Sequence, residues 1–447
     1  MSTPPTVSKR QRKDVIDALR IGSVPRKGLH LYATGVERFE RVIDEELADV
    51  AAGRSRFKAI RAPYGGGKTF FCRWLEARAL QQGFAVAEVQ ISTDTPLHQL
   101  QTVYRRAMER LSTRDRDGAA FRNVVDGWTF TLEEELRAAG TLRSDAGEAE
   151  VKTKVGEALE GRLKSLSAQN HHFAAVLRAY HAAVVSQDEP TAQGLIAWVS
   201  GVEGIAQAVK KKAAITGSID HRMAIGFFQG LLSVLRESGR TGLVLVLDEV
   251  ETIQRQRRDT REKSLQGLRE LVDLCAMSQL PGLYLVVTGT PEFFDSPWGM
   301  QRLEPLKQRL ETRFDAETRF DNLKAPQIRL LPFDTARLVE VGRRVRDAYP
   351  GADEERLRRV VDDNFLRALV EAVVGVLGGQ VGVAPRLFLR KLVDVLDRVD
   401  QYADYDPAKH YKIEVKDDEL GEEERVAAGR ASAPRTPDDL DLPIDDA

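Results

Sequence analysis

The segment Ala62-Pro63-Tyr64-Gly65-Gly66-Gly67-Lys68-Thr69 constrains this chain more than any other. It lies between Phe57–Ile60, a short apolar run suited to a strand, and Phe70–Leu80, whose apolar residues recur at helical spacing. A glycine-rich turn from strand into helix aims successive backbone N–H groups at one point, where the helix dipole also favours negative charge. This is the pattern of a phosphate-cradling loop. Lys68 is placed to reach β- and γ-phosphates and the Thr69 hydroxyl to ligate Mg²⁺. Pro63, Tyr64, Gly65, Gly66, Gly67 and Phe70 are the neighbouring candidates for nucleotide contact. Ala62 stands where the usual G-x-x-x-x-G-K-[ST] pattern has its first glycine, but the three glycines of the anion nest remain.

A second element gives the loop a partner. Leu243–Leu247 is an unbroken apolar run, as expected of a strand buried on both faces of a parallel sheet. It ends in Asp248-Glu249, at the strand edge where open α/β sheets bind ligands. Two carboxylates in that place also fit a solvated strand end. Combined with the loop they point to a nucleoside-triphosphate site, with Asp248 holding Mg²⁺ and Glu249 polarising the attacking water.

Size and composition agree. A chain of 447 residues exceeds one average domain, which suggests an ATPase core with appendages. No stretch approaches the roughly 18–20 apolar residues of a membrane span, so no membrane partner is expected. The first residues lack the apolar core of a secretory signal, and a cytoplasmic location is expected. Cys72 and Cys275 are the only cysteines, both in apolar helical patterns, and read as inert core thiols. The net charge of −2 hides an asymmetry, since residues 414–447 hold 12 acidic and 4 basic side chains. That composition reads as a disordered acidic tail over 413–447, serving solubility or competing with nucleic acid for a basic surface.

The expected fold class is α/β: a three-layer P-loop NTPase core with a mostly parallel sheet, a large helical insert and a C-terminal helical lid. A basic helix occupies 1–27, the two parts of the core 28–112 and 216–332, the insert 113–215 and the lid 333–412. Strands are expected at 57–60, 85–91, 243–247 and 283–290. Thr252–Met277, Thr335–Tyr349, Glu354–Leu377 and Arg386–Tyr402 read as helices. The glycine-punctuated loop from Gly28 to Gly35 suits the seat of an adenine, and Tyr32 reads either as a ring stacked on the base or as a core aromatic.

Further polar residues each carry two readings. Thr288 or Thr290, at the tip of the last of these strands, fits a reporter of the γ-phosphate, and threonine is also a good strand former. Thr290 is the candidate in the site. Arg386 opens a lid helix and fits a bridge to phosphate that couples nucleotide to lid closure. Arg309 and Arg313, one turn apart, fit a trans-acting arginine at the boundary of a homo-oligomer. All three arginines also fit ordinary surface ion pairs. The run Arg255, Arg257, Arg258, Arg261 and Lys263 fits sequence-independent DNA contact. Interleaved acids and the lack of stacking aromatics fit a solvated helix face equally.

Together Asp248-Glu249, Thr252–Arg255, Arg261–Leu265, Thr288–Phe294, Gln308–Leu310 and Ala384–Arg390 resemble the BrxD family of BREX-system ATP-binding proteins, from about Gly28 to Val399. The resemblance implies a P-loop ATPase of AAA+/STAND type, encoded in anti-phage defence loci, commonly beside a superfamily-2 helicase. It implies ATP and Mg²⁺ as ligands, and DNA, a helicase or other defence proteins as partners. Lys68, Thr69, Asp248, Glu249 and Arg386 match its phosphate, metal, water and lid-sensor positions. The leading expectation is an ATP-hydrolysing, DNA-associated switch or loader. The alternatives are a slow-turnover signalling scaffold and a replication or repair initiator. The short acidic stretch after 403 leaves no room for the winged-helix DNA reader usual in such initiators.

Overall fold

Apolar runs decide the sheet. A computed structural model describes residues 8–430, apart from residue 144. Its sheet is built from β1 (Arg56–Arg61), β2 (Ala85–Gln90), β3 (Leu243–Asp248), β4 (Leu283–Gly289) and β5 (Gln327–Arg329), in the order β2-β3-β4-β1-β5. Each neighbouring pair is parallel. β3 and β4, the least polar runs, lie inside the sheet and are buried throughout. Sequence reading finds the first four strands and misses β5, whose three residues are too few to show a period.

Side chains alternate across the sheet and feed two cores. Leu243, Leu245, Leu247, Leu285 and Val287 point to one face, and Val244, Val246, Tyr284, Val286 and Ile328 to the other. The second face is covered by α1 (Lys9–Arg20), α2 (Glu37–Ala51) and α3 (Lys68–Gln81). Helix α1 begins at Ser8, whose hydroxyl accepts from the Gln11 N–H, and buries Val15, Ile16 and Leu19.

The first face is covered by α4 (Leu100–Arg110) together with the helical stretch that follows it. This comprises α5 (Phe121–Ala138), α6 (Glu148–Gln169), α7 (His171–Val185), α8 (Glu189–Val199), α9 (Gln207–Lys212) and α10 (His221–Glu237). An aromatic cluster ties these helices together. Phe227 of α10 meets Tyr104 of α4, Phe173 of α7 and Trp198 of α8 at centroid distances of 5.8, 5.4 and 5.7 Å. The helices between 121 and 212 therefore share one core with α4 and α10.

Two helices read as continuous from the sequence are broken. The stretch after Glu249 forms a 3-10 turn, Val250–Arg255, before α11 (Arg258–Ala276), because Gln256 is extended between them. Two short helices, α12 (Pro291–Asp295) and α13 (Glu304–Leu310), follow β4. Beyond β5, α14 (Thr335–Ala348) leads to a second broken pair, α15 (Glu354–Val360) and α16 (Asp363–Val376). They separate where the Asp362 carboxylate accepts the Phe365 N–H and starts a new helix. Helix α17 (Pro385–Gln401) packs against α14, α16 and α1, and Arg20 of α1 bonds Asp397 at 2.8 and 2.9 Å.

The expected disordered tail needs correction as far as it is described. Residues 411–430 follow α18 (Pro407–His410), include α19 (Glu422–Ala427) and lie against α17, with Leu420 buried. Cations of α17 hold the acidic chain in place: Lys391 bonds Glu419 at 2.9 Å, Arg390 pairs with Glu419 at 3.9 Å and Arg386 bonds Glu424. Composition counts the acids of this segment, whereas the partners that neutralise them come from another helix. Residues 431–447 lie outside the described residues. Among the described residues no helix is long and apolar enough to cross a membrane.

Candidate functional site

The loop expected to hold phosphate follows β1 and runs directly into α3. Gly65 and Gly67 adopt φ of 69° and 87°, in the left-handed region that glycine enters without penalty. At Gly66 an added Cβ would come within 2.9 Å of the Pro63 carbonyl oxygen and 3.1 Å of the Ala62 side chain. Ala62 itself has ordinary backbone geometry, is buried, and continues the pairing with β4 through its N–H to the Gly289 carbonyl at 3.1 Å. A methyl group is therefore accommodated at the first position of the loop and excluded four residues further on.

Beside the loop is a cavity of about 530 Å³ at the C-terminal edge of the sheet. Pro63, Tyr64, Gly65, Gly67, Lys68, Thr69 and Phe70 form one wall, and Asp248, Glu249 and Glu251 form another. Leu19, Val24, Tyr32, Leu338, Val341 and Leu389 make an apolar end. Arg386 and Pro385, at the start of α17, complete the lining. Gly66 turns away from this space and borders a smaller one behind the loop, near Phe333.

The three acids are held in different ways. The Asp248 carboxylate accepts the hydroxyl of Thr288, a buried residue of β4. Thr288 Oγ1 also accepts the Glu249 N–H at 3.2 Å. Glu249 sits at φ 59° and ψ 45°, an unusual conformation for a residue with a side chain, costing about 1–2 kcal/mol. Its surroundings over-determine that geometry: Gln90, at the end of β2, donates to the carboxylate at 2.8 Å, and Thr252 donates to the carbonyl at 2.9 Å. Among the described residues no neutral side chain donates to Glu251. It faces the Lys68 ammonium at 3.3 Å, with relative exposures of 4% for Glu251 and 9% for Lys68. Burial pushes the Glu251 carboxyl up, against the pull of Lys68. Lys68 also lies 4.7 Å from the Tyr64 ring centroid and 3.3 Å from the Ala62 carbonyl oxygen.

Tyr32 is buried and meets the Phe70 ring edge-on at 5.3 Å, and burial pushes its phenol up. Its hydroxyl has no hydrogen-bond partner among the described residues. Arg386 reaches the cavity lining, but its guanidinium also bonds the Glu424 carboxylate and, at 2.7 Å, the Glu419 carbonyl. Thr290 is buried at the start of α12, outside the lining. Arg309 pairs with Asp273 of α11, also outside it, and Arg313 is exposed in the segment after α13. In the basic run, Arg261 is fully buried and packs over Trp298 at 5.3 Å, while Arg255, Arg257, Arg258 and Lys263 are exposed. Both cysteines are buried and free, and burial pushes both thiols up.

Sequence reasoning missed Glu251, Gln90 and Glu424. Glu251 lies only two residues beyond Glu249, but a pattern of types does not say which acid turns inward. The left-handed Glu249 and the 3-10 turn bring Glu251 back toward Lys68.

The Thr69 hydroxyl and the Asp248 carboxylate are hard oxygen donors on one cavity, the donor type that suits Mg²⁺. Among the described residues no group of three or more His, Cys, Asp or Glu side chains is arranged to hold a metal unaided. Mg²⁺ commonly relies on one or two protein oxygens with substrate phosphates completing its shell.

A five-stranded, all-parallel sheet with helices on both faces, and a glycine loop opening a helix at its edge, defines a mixed α/β protein compatible with a P-loop-type core. The family model for the BREX system ATP-binding protein BrxC/D matches residues 7–415, and the chain belongs to that family. No curated protein matches it. The family is ATP-binding and belongs to a defence system. The segment carrying Glu419 and Glu424 lies beyond the matched residues.

Proposed function

We propose that this protein binds and hydrolyses ATP with Mg²⁺, acting as a nucleotide-driven switch or loader on DNA within a BREX-type defence system, together with a helicase. One observation carries the reading: Lys68 and Thr69, at the start of α3, and Asp248 and Glu249, at the end of β3, line one cavity beneath the helices of residues 335–401. The strand order β5-β1-β4-β3-β2 supports an AAA+-like core with those helices as its lid. Tyr32 and the apolar end of the cavity take the base, and the N–H groups of residues 65–69 with Lys68 take the phosphates. Asp248 and Thr69 would hold Mg²⁺, which would supply positive charge beside the phosphates. Glu249, oriented by Gln90, accepts a proton from the attacking water. Arg309 or Arg313, both outside the cavity, act across a subunit boundary in a homo-oligomer.

Lys68→Ala should abolish ATP binding, measured by calorimetry. Glu249→Gln should bind ATP but release no phosphate, with or without DNA. Turnover retained in Glu249→Gln removes that residue from its role.

A second reading, a scaffold with slow turnover, is favoured by the state of the two cations. Lys68 faces Glu251 and Arg386 is bonded to Glu424, so both candidate phosphate ligands start out engaged with carboxylates. ATP hydrolysis that stays negligible with DNA and helicase present would select this reading.

A further inference from the structure

We propose that Glu251 is a further positioning residue of the nucleotide site: it holds the Lys68 ammonium before nucleotide arrives, and the phosphates must displace it. Glu251 thereby sets how tightly the site takes a nucleoside triphosphate. The inference rests on reading the cavity as a nucleotide site.

The three acids of the cavity differ in what holds them. Asp248 and Glu249 are held by the uncharged donors Thr288 and Gln90, so their positions do not depend on Lys68. Apart from the ion pair with Lys68 and its own backbone N–H, the Glu251 carboxylate has no hydrogen-bond partner among the described residues. The side chain is almost wholly shielded from water yet lines the cavity. Breaking a buried pair from one side is costly because the remaining charge is left uncompensated. Lys68 is therefore stabilised toward Glu251 when the loop holds no phosphate.

Phosphate binding changes both halves of this pair. Lys68 turns its charge to the β- and γ-oxygens, and Glu251 becomes a buried anion close to another anion. Coulomb interactions between close charges are strong in such partly dry surroundings. A neutral residue of the same shape at 251 removes the competitor from the free protein and the repulsion from the complex. Both changes favour the bound state. AMP, which lacks the β- and γ-phosphates that Lys68 reaches, escapes most of the effect.

The test is calorimetric titration of full-length Glu251→Gln with ATP, ADP and AMP in Mg²⁺, alongside thermal melting. The expected result is ATP binding at least about tenfold tighter than wild type, with AMP affinity within about twofold. The free variant should melt below wild type, and ATP should raise its Tm by more than it raises that of wild type. Unchanged or weaker ATP binding in a variant with a wild-type circular dichroism spectrum overturns the inference. Should the glutamine variant fail to fold, Glu251→Asp, which withdraws the carboxylate by one methylene, should tighten ATP binding in the same direction but less. Unchanged or weaker binding there also overturns it. Lys68→Ala separates the two levels: ATP affinity retained without Lys68 overturns the nucleotide-site reading itself, whatever residue 251 does.

Discussion

The hydroxyl of Thr288 on β4 donates to the carboxylate of Asp248 on the neighbouring β3, tying the tip of β4 to a residue that lines the cavity. The same oxygen accepts the Glu249 N–H, so one buried threonine orients the acid pair. Thr290, two residues further on, has left the strand and begins α12.

Thr288→Val should therefore act as a loss of metal alignment. Removing a partner that orients a metal ligand commonly costs about 10–100-fold in metal affinity or activity. The Mg²⁺ concentration for half-maximal ATP turnover should rise by about tenfold, the lower end of that range. The unmatched Asp248 oxygen should also lower stability by about 1–3 kcal/mol, read by denaturant unfolding. Thr290→Val should leave the Mg²⁺ titration unchanged.

A buried acid on α3 gives the chain a pH dependence. The Glu76 carboxyl is pushed up to about 8, by burial first and then by the nearby Glu88 charge. A folded-state value above the unfolded one means that the native protein binds this proton more tightly. The stabilisation is complete below the unfolded value of about 4.3 and is lost as pH climbs through about 8. Glu76→Gln removes this titration. The variant and wild type should melt alike near pH 5, and the variant should melt higher at pH 9, by roughly 2–5 °C in a thermal scan.

The loop sorts its small residues by geometry. Gly67 sits at φ 87°, so Gly67→Ala should cost about 1–2 kcal/mol and weaken ATP binding at least tenfold, measured by calorimetry. Ala62 has ordinary backbone geometry and a buried methyl group. Ala62→Gly, which restores the usual first glycine, should leave ATP affinity within about twofold and lower stability by roughly 0.5–1 kcal/mol.

The basic stretch splits into exposed and buried members. Reversing the exposed Arg255, Arg257 and Arg258 to Glu should weaken duplex binding and flatten its dependence on salt, read by fluorescence anisotropy between about 50 and 200 mM salt. Unchanged affinity would move the DNA surface elsewhere. Arg261→Ala should instead destabilise the fold, because a fully buried side chain stacked on Trp298 is lost.

Much of the fold is legible in the chain because local rules suffice for it. The runs at 57–60, 85–91, 243–247 and 283–290 are short and rich in apolar residues, and 243–247 is unbroken as suits a strand buried on both faces, whereas β5 escapes notice because three residues carry no period. Helix breaks at Gln256 and Asp362 were not legible. Around Asp362 apolar spacing runs on and a side-chain cap makes the break, whereas around Gln256 the residues from 254 to 264 are all polar and extended backbone makes it.

By itself the sequence determined the phosphate-type loop, the strand carrying Asp248 and Glu249, and the family that these and the lid motif resemble. Those features depend on residue types at fixed spacing, and the physics of a glycine nest or a buried strand acts over a few residues. Tertiary structure decided which charges face each other. Glu251 turns to Lys68, Glu424 reaches Arg386, Thr288 rather than Thr290 joins the acids, and Arg261 leaves the surface. Each of these depends on residues brought together from different elements, and an electrostatic partner is set by distance and burial, neither of which is written in spacing along the chain.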